Sequence, residues 1–220
     1  MLKKAICHFR LVMRHKAMVF RLCKKAGIPV RGFFHDMSKF SPTEFLESVK
    51  YYTGKKSPII YCRQEQGYSK AWLHHKGRNK HHFEYWYDAE LEHGMPIIPY
   101  KYTVEMICDN LAAGMTYKGK DWTQDYQLNY WLRRKGKIII NPVTNAILTE
   151  VFTKVAEQGI DAVIQKYVLR EIYERHVSEA VNREYYEKHM NWTWWNSKSS
   201  LELLQRVFAF KWKNCEKTVH

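Results

Sequence analysis

Apolar residues recur at helical spacing through the first 26 positions. Ile6, Phe9, Val12, Met13, Val19, Phe20 and Cys23 fall every three or four residues or at multiples of that step, and Gly27 followed by Pro29 ends the pattern. The spacing predicts a helix over residues 3–26. A second, short helix is predicted over residues 29–39. On it Phe33 and Met37 stand one turn apart and share a buried face, while His35, Asp36 and Lys39 share another. Ser41 and Glu44 have capping-box spacing and Pro42 sits at the first helical position, so a third helix begins there. Residues 50–67, with Gly54, Pro58 and Gly67, read as a loop. A long helix is predicted over residues 68–92.

"GMPIIPY" at 94–100 breaks that pattern. A further helix over residues 103–113 carries Glu105 and Asp109. "KGKIIINPVTN" reads as a short strand or an extended link. Residues 144–158 are amphipathic through Ile147, Leu148, Val151, Phe152 and Val155. Helices follow over 169–188, with a Glu171–Arg175 pair at i,i+4, and over 201–213. The expected fold class is all-α. The composition shifts after "KGKDWTQ", which suggests a helical domain over residues 1–125 and a C-terminal helical extension over 126–220.

Composition narrows the function classes. A hydrophobic content of 45% excludes disorder for the chain as a whole. The formal charge is +14, from 36 Lys and Arg against 22 Asp and Glu, and no acidic residue precedes Asp36. That balance favours partners bearing phosphate: a nucleotide, another small phosphate-containing molecule, nucleic acid or an anionic membrane face. The five cysteines are scattered and odd in number, without a CxxC, as expected in a reducing, cytoplasmic setting rather than in a disulfide framework. The opening "MLKKAICHFRLVMRHK" lacks the apolar run and small-residue cleavage site of a signal peptide, and no stretch reaches a transmembrane length. Oligomeric state is not legible.

Histidines supply the candidate chemistry. A seven-residue step along a helix turns about 700°, so His75 and His82 share one stripe of the predicted helix with Asn79 between them. His74, Arg78 and His81 share the adjacent stripe. A single histidine is ordinarily a surface or satisfied core residue. Here His15, the pair His35–Asp36, His75 with His82, and Asp109 come from four successive helices. Imidazoles with carboxylates suit Mn, Fe, Zn or Ni, and the cysteines form no zinc knuckle.

That ordered set resembles the HD-domain superfamily of metal-dependent phosphohydrolases. "HDMSK" is close to its HD-x-G-K form, with Ser38 in place of glycine. "HHFE" followed by "MPIIPYKYTVEMICD" echoes the run found in its cyclic-dinucleotide branch, although no GYP element is present. The phrasing "HDMSKFSPTEF", "WLHHKGRNKHHFEYW" and "EMICDNLAAGMTYKG" is similar to a small bacterial and phage family of unknown function. The resemblance covers residues 10 to 125.

It implies an HD-domain-like helical bundle and a mono- or binuclear site acting on a nucleotide or other small phosphate ester. His15, His35, Asp36 and Asp109 match the core ligands, with Asp36 as the carboxylate that can bridge two cations. His75 and His82 match the histidines of a second site, and His74 or His81 could replace either. The ion itself (Mn, Fe, Zn, Ni or Mg) is left open. Lys39 matches the lysine that approaches the substrate phosphate, and His74 or His81 could protonate the leaving oxygen. Glu84, Glu105 and Asn79 are candidates to orient the ligating histidines. A di-iron oxygenase with the same ligands, or a non-catalytic nucleic-acid-binding or host-interaction protein, is the alternative.

Two aromatic features read as packing. In "KAWLHHKGRNKHHFEYWY", Trp72, Phe83 and Trp86 are expected to face inward. "NWTWWNSK" near the C-terminus could be a stacking platform, a dimer contact or a packed turn, and an aromatic cluster is more often core than a cofactor site.

Overall fold

Helix α1 (Leu2–Lys25) ends where Gly27 takes a left-handed φ of 78°. The Gly27 N–H donates to Lys24 O and the Ile28 N–H to Cys23 O, the two bonds of a Schellman stop. A computed structural model describes residues 1–189, with side chains described through Glu184. Met1–Val177 form one compact unit. The predicted helix at 201–213, the cluster Trp192, Trp194 and Trp195, and Cys215 lie outside the described residues.

Helices α2 (Pro29–Phe34), α3 (Pro42–Lys50), α4 (Pro58–Gln66) and α5 (Lys70–Lys76) are short. They are followed by α6 (Tyr100–Lys118), α7 (Tyr126–Arg134), α8 (Pro142–Gln158), the single turn α9 (Ile160–Val163) and α10 (Lys166–His189). No strand occurs among the described residues, so the fold is all-α. α6 is buried on nearly every side and organises the rest. Its Ile107, Cys108 and Leu111 pack with Val19, Leu22 and Cys23 of α1 and with Leu148, Val151, Phe152 and Val155 of α8. Trp131 of α7 and Leu169 and Ile172 of α10 close the same core. Each fully buried aliphatic side chain contributes roughly 1.5–3 kcal/mol, which makes this core the main source of stability.

Several expectations shift. α1 buries His8, Val12, His15, Val19 and Leu22, while Ile6, Phe9, Met13 and Phe20 are exposed. The helix has two apolar stripes, and the core takes the one carrying the histidines. α2 stops at Phe34 rather than 39, and Phe33 and Met37 are both exposed instead of sharing a buried face. The expected loop at 50–67 contains α4, because Pro58 occupies a helix's first position instead of breaking one. The long helix at 68–92 is reduced to α5. Its stop is Gly77, after which the chain turns back on itself, with Arg78 N and Asn79 N both donating to His75 O. The link at 138–141 is extended without a strand partner, and Asn141 Oδ1 caps α8 by accepting from Val143 N at 2.9 Å. Phe83 and Trp86 pack half-buried on the core, as expected of them.

Candidate metal centre

The centre starts where α2 breaks. His35 is already extended, and Asp36 adopts φ 53° and ψ 33°, the left-handed region that few side chains tolerate. It is the one non-glycine residue with positive φ among those described. Lys16 of α1 holds the break in place: its Nζ donates to Phe33 O and His35 O, each at 2.6 Å. These are carbonyls that the end of α2 would otherwise leave unpaired. The turn Met37–Phe40 then brings Lys39 Nζ to 2.6 Å from Asp36 Oδ2.

α6 presents Glu105 and Asp109 one turn apart, on the same face. α5 and the turn after Gly77 present His75, His81 and His82. Ser69 caps α5 by accepting from Trp72 N, and Asn79 Nδ2 ties the turn by donating to His75 O and Ser38 Oγ, each at 2.8 Å.

These side chains converge on Asp36. Its Oδ1 lies 3.4 Å from His75 Nε2 and 3.3 Å from His81 Nε2, while Oδ2 lies 3.2 Å from His35 Nε2. His15 Nε2 and His35 Nε2 stand 3.0 and 3.4 Å from Asp109 Oδ1. Two four-residue groups could therefore each hold a cation: Asp36, His75, His81 and His82, and His15, His35, Asp36 and Asp109. They share only Asp36.

The hydrogen bonds behind the histidines fix which nitrogen faces the centre. His35 Nδ1 and His81 Nδ1 donate to Glu105 Oε1 at 3.1 and 3.3 Å, and His75 Nδ1 donates to Glu44 Oε2 at 2.7 Å. In the neutral imidazole, a nitrogen that donates on one side leaves a lone pair on the other. In that form Nε2 lone pairs and carboxylate oxygens point at one another. His15 Nε2, His35 Nε2, His81 Nε2 and Asp36 Oδ1 are buried with no hydrogen-bond partner, and His75 Nε2 meets His82 Nε2 at 2.9 Å. Such a gathering needs positive charge at its centre, which protons on His35 and His81 can supply and which a divalent ion, suited to these residue types, can supply in their place.

Titration follows the same physics. Burial would lower the His35 pKa, but the Asp36 charge and bonds to Asp109 and Glu105 raise it well above the ordinary value. His81 is raised as well: burial and the His35 charge oppose protonation and are outweighed by Asp36 and Glu105. Burial, then the neighbouring His81 and His75, pull His82 far down. Burial would push Asp36 up, but His35, Lys39 and His75 hold it well below the carboxylate range. Glu105, likewise opposed by burial, is drawn to about 2 by His35 and His81.

The centre opens into a cleft of about 730 Å³. His15, Asp36, Lys39, His75, His81, His82 and Asp109 reach its wall. Further out are Lys55, Lys56, Arg63, Lys118 and Arg134, and the rings of Trp72, Tyr126 and Tyr130. Arg63, Lys118 and Arg134 each lie over one of these rings, 5.3–5.5 Å from its centroid. α7, beyond residue 125, thus contributes to the wall.

All six predicted ligands, His15, His35, Asp36, His75, His82 and Asp109, are brought together. His75 and His82 meet through a turn, not along a helix stripe. His81, expected as a proton donor or as a replacement for His75 or His82, lies fully buried within the cluster, with one nitrogen toward Glu105 and the other toward Asp36. His74 points away from the cleft wall and donates to Glu44 Oε1 at 2.6 Å. Glu105 and Asn79 stand behind histidines as expected. Glu84 does not; it lines the cleft, and burial raises its pKa. Glu44 is the residue that sequence reasoning missed, since its capping spacing already accounted for it. In the structure its backbone N–H meets Ser41 Oγ at 3.4 Å while its carboxylate turns to the two histidines.

Fold and cluster define an all-helical protein with a buried histidine–carboxylate centre able to hold metal. A model described as a family of unknown function, DUF5662, matches residues 4–154, and the chain belongs to that family. No curated protein and no solved structure matches it.

Proposed function

We propose that the chain is an HD-like, metal-dependent phosphohydrolase with a binuclear His/Asp centre, acting on a nucleotide or another small phosphate ester. One observation carries the reading: the two oxygens of Asp36 face different histidines, Oδ1 toward His75 and His81 and Oδ2 toward His35. A carboxylate so placed can bridge two cations. His15, His35 and Asp109 would complete one site, and His75, His81 and His82 the other. When bound, such a pair supplies an activated water and offsets charge developing on a phosphoryl group.

The chain's own residues supply the rest. Lys39 Nζ, at the cleft wall beside Asp36, adds fixed positive charge where a phosphoryl oxygen would lie. Glu105 and Glu44 orient the histidines. Lys55, Lys56 and Arg134 attract phosphate, and Trp72, Tyr126 and Tyr130 offer flat faces to a base, which favours a nucleotide over a smaller ester.

The test is phosphate release from nucleotides and a generic phosphomonoester, with Mn, Fe, Zn, Ni and Mg supplied in turn, for the wild type beside Asp36→Ala. The expected result is metal-dependent release that falls at least about a hundredfold in the variant. Equal turnover by both proteins would refute the proposal. Iron-dependent oxygen uptake without phosphate release would replace it with the oxidative reading.

A further inference from the structure

α1 carries three stripes. At about 100° per residue, His8, Val12, His15, Val19 and Leu22 fall within one arc facing the core. Leu2, Ile6, Phe9, Met13 and Phe20 fall in the next arc, and all five are exposed. Lys3, Arg10, Arg14 and Arg21 fall in the third, also exposed. An exposed apolar stripe flanked by a basic one is unlike an ordinary solvated helix face, whose exposed apolar residues are scattered singly.

α2 widens the apolar stripe. Phe33 and Phe34 are 59% and 62% exposed, and their rings stand 5.0 Å apart. Phe33 lies 6.4 Å from Phe20, and Phe9 lies 6.0 Å from Phe40, so the surface is continuous across α1, α2 and the turn after them. The apolar stripe of α1 extends about 27 Å along its axis, from Leu2 to Phe20.

We propose that this face docks the protein on an anionic lipid surface, with α1 lying in the plane of the interface. Charge complementarity selects the occupant. No acidic residue precedes Asp36, so nothing on α1 or α2 opposes a negatively charged surface. A second copy seated on the same face with α1 antiparallel would set Arg10, Arg14 and Arg21 against their own counterparts, and with α1 parallel it would bring them no acidic partner from α1 or α2. A duplex would satisfy the arginines through its phosphates and leave the phenylalanines in water, and Leu2, Ile6 and Met13 offer no ring on which a single strand could stack. A bilayer of anionic lipids satisfies both: the rings enter the acyl boundary and the bases meet the headgroups. No helix among the described residues is long and apolar enough to cross a membrane, and this mode of attachment requires none. The inference is independent of what the metal centre does.

The experiment is co-sedimentation of the full chain with vesicles of phosphatidylcholine alone and of an equal mixture with phosphatidylglycerol. The expected result is partition onto the mixed vesicles only, weakened about tenfold or more by Phe33→Ser with Phe34→Ser and by raising salt. Arg10→Glu with Arg14→Glu gives the same loss, and carries the test should the serine pair fail to fold. Melting temperature checks folding in each case. Absence of partition onto the mixed vesicles overturns the proposal. So does partition that both variant pairs leave unchanged, or a wild-type dimer that the serine pair disperses, which would assign the face to a second copy.

Discussion

Glu44 braces His75 from behind: His75 Nδ1 donates to Glu44 Oε2 at 2.7 Å, and the Nε2 of the same ring points to Asp36. His74 takes the other Glu44 oxygen, so the carboxylate is held at both ends. Glu44→Gln keeps the shape and removes the charge that holds His75 in its Nδ1–H form. Metal affinity should fall about 10- to 100-fold, with little change in helicity. Competition against a chelator of known affinity measures it; an unchanged affinity would exclude this role for Glu44.

Lys16→Met should loosen the break that presents His35 and Asp36. The variant strands Phe33 O and His35 O, both of which accept from Lys16 Nζ. A charged hydrogen bond of this kind is worth about 1.5–3 kcal/mol, reduced here because Lys16 keeps partial access to water. A loss of about 1–2 kcal/mol in urea denaturation is expected, and metal affinity should drop with it.

Gly32→Ala probes the same junction sterically. A Cβ there would stand 2.5 Å from Cys23 Cβ and 3.1 Å from the Phe20 Cα, so α2 would have to move off α1. Overpacking of this kind costs about 1–3 kcal/mol. The movement would also shift His35 and Asp36, so both the melting temperature and metal binding should fall.

His8 gives the protein a pH dependence that can be isolated. Burial, with Lys39 adding to it, lowers its pKa from the ordinary 6.5 to about 4. Between those values the unfolded chain binds the proton and the folded one does not, so stability rises with pH across that window and is lost as pH falls from about 6.5 toward 4. Allowing for partial solvent screening, the swing is about 1–2 kcal/mol. His8→Asn cannot titrate. Its stability curve, measured at several pH values, should therefore lack this component; two parallel curves would contradict it.

How legible the centre was in the sequence can be judged from particular residues. α8 is nearly where its apolar spacing puts it, because Ile147, Leu148, Val151 and Phe152 pack against the core with no polar group to divert them. The coming together of His15, His35, Asp36, His75, His82 and Asp109 could be anticipated from residue types together with the HD-domain resemblance. Its geometry could not. The His75–His82 contact comes from a turn at Gly77 and Asn79, whose punctuation inside "HHKGRNKHH" was outweighed by the seven-residue spacing. The partial burial of α1 could not be read either, because both of its apolar stripes have helical spacing and only tertiary packing chooses between them. The part of the cleft wall that α7 supplies, with Tyr126, Tyr130 and Arg134, lay beyond any local motif.

The central claim is that Asp36 joins two cation sites, and metal content per chain tests it most directly. Protein produced with transition metals supplied, and freed of loosely bound ions, should retain up to two divalent ions per chain by elemental analysis. Asp36→Ala should lose at least one of them, and a chelator should lower the melting temperature of the wild type but not of a fully metal-free variant. A wild-type chain that retains no divalent ion, or a variant that retains as much as the wild type, would contradict the account.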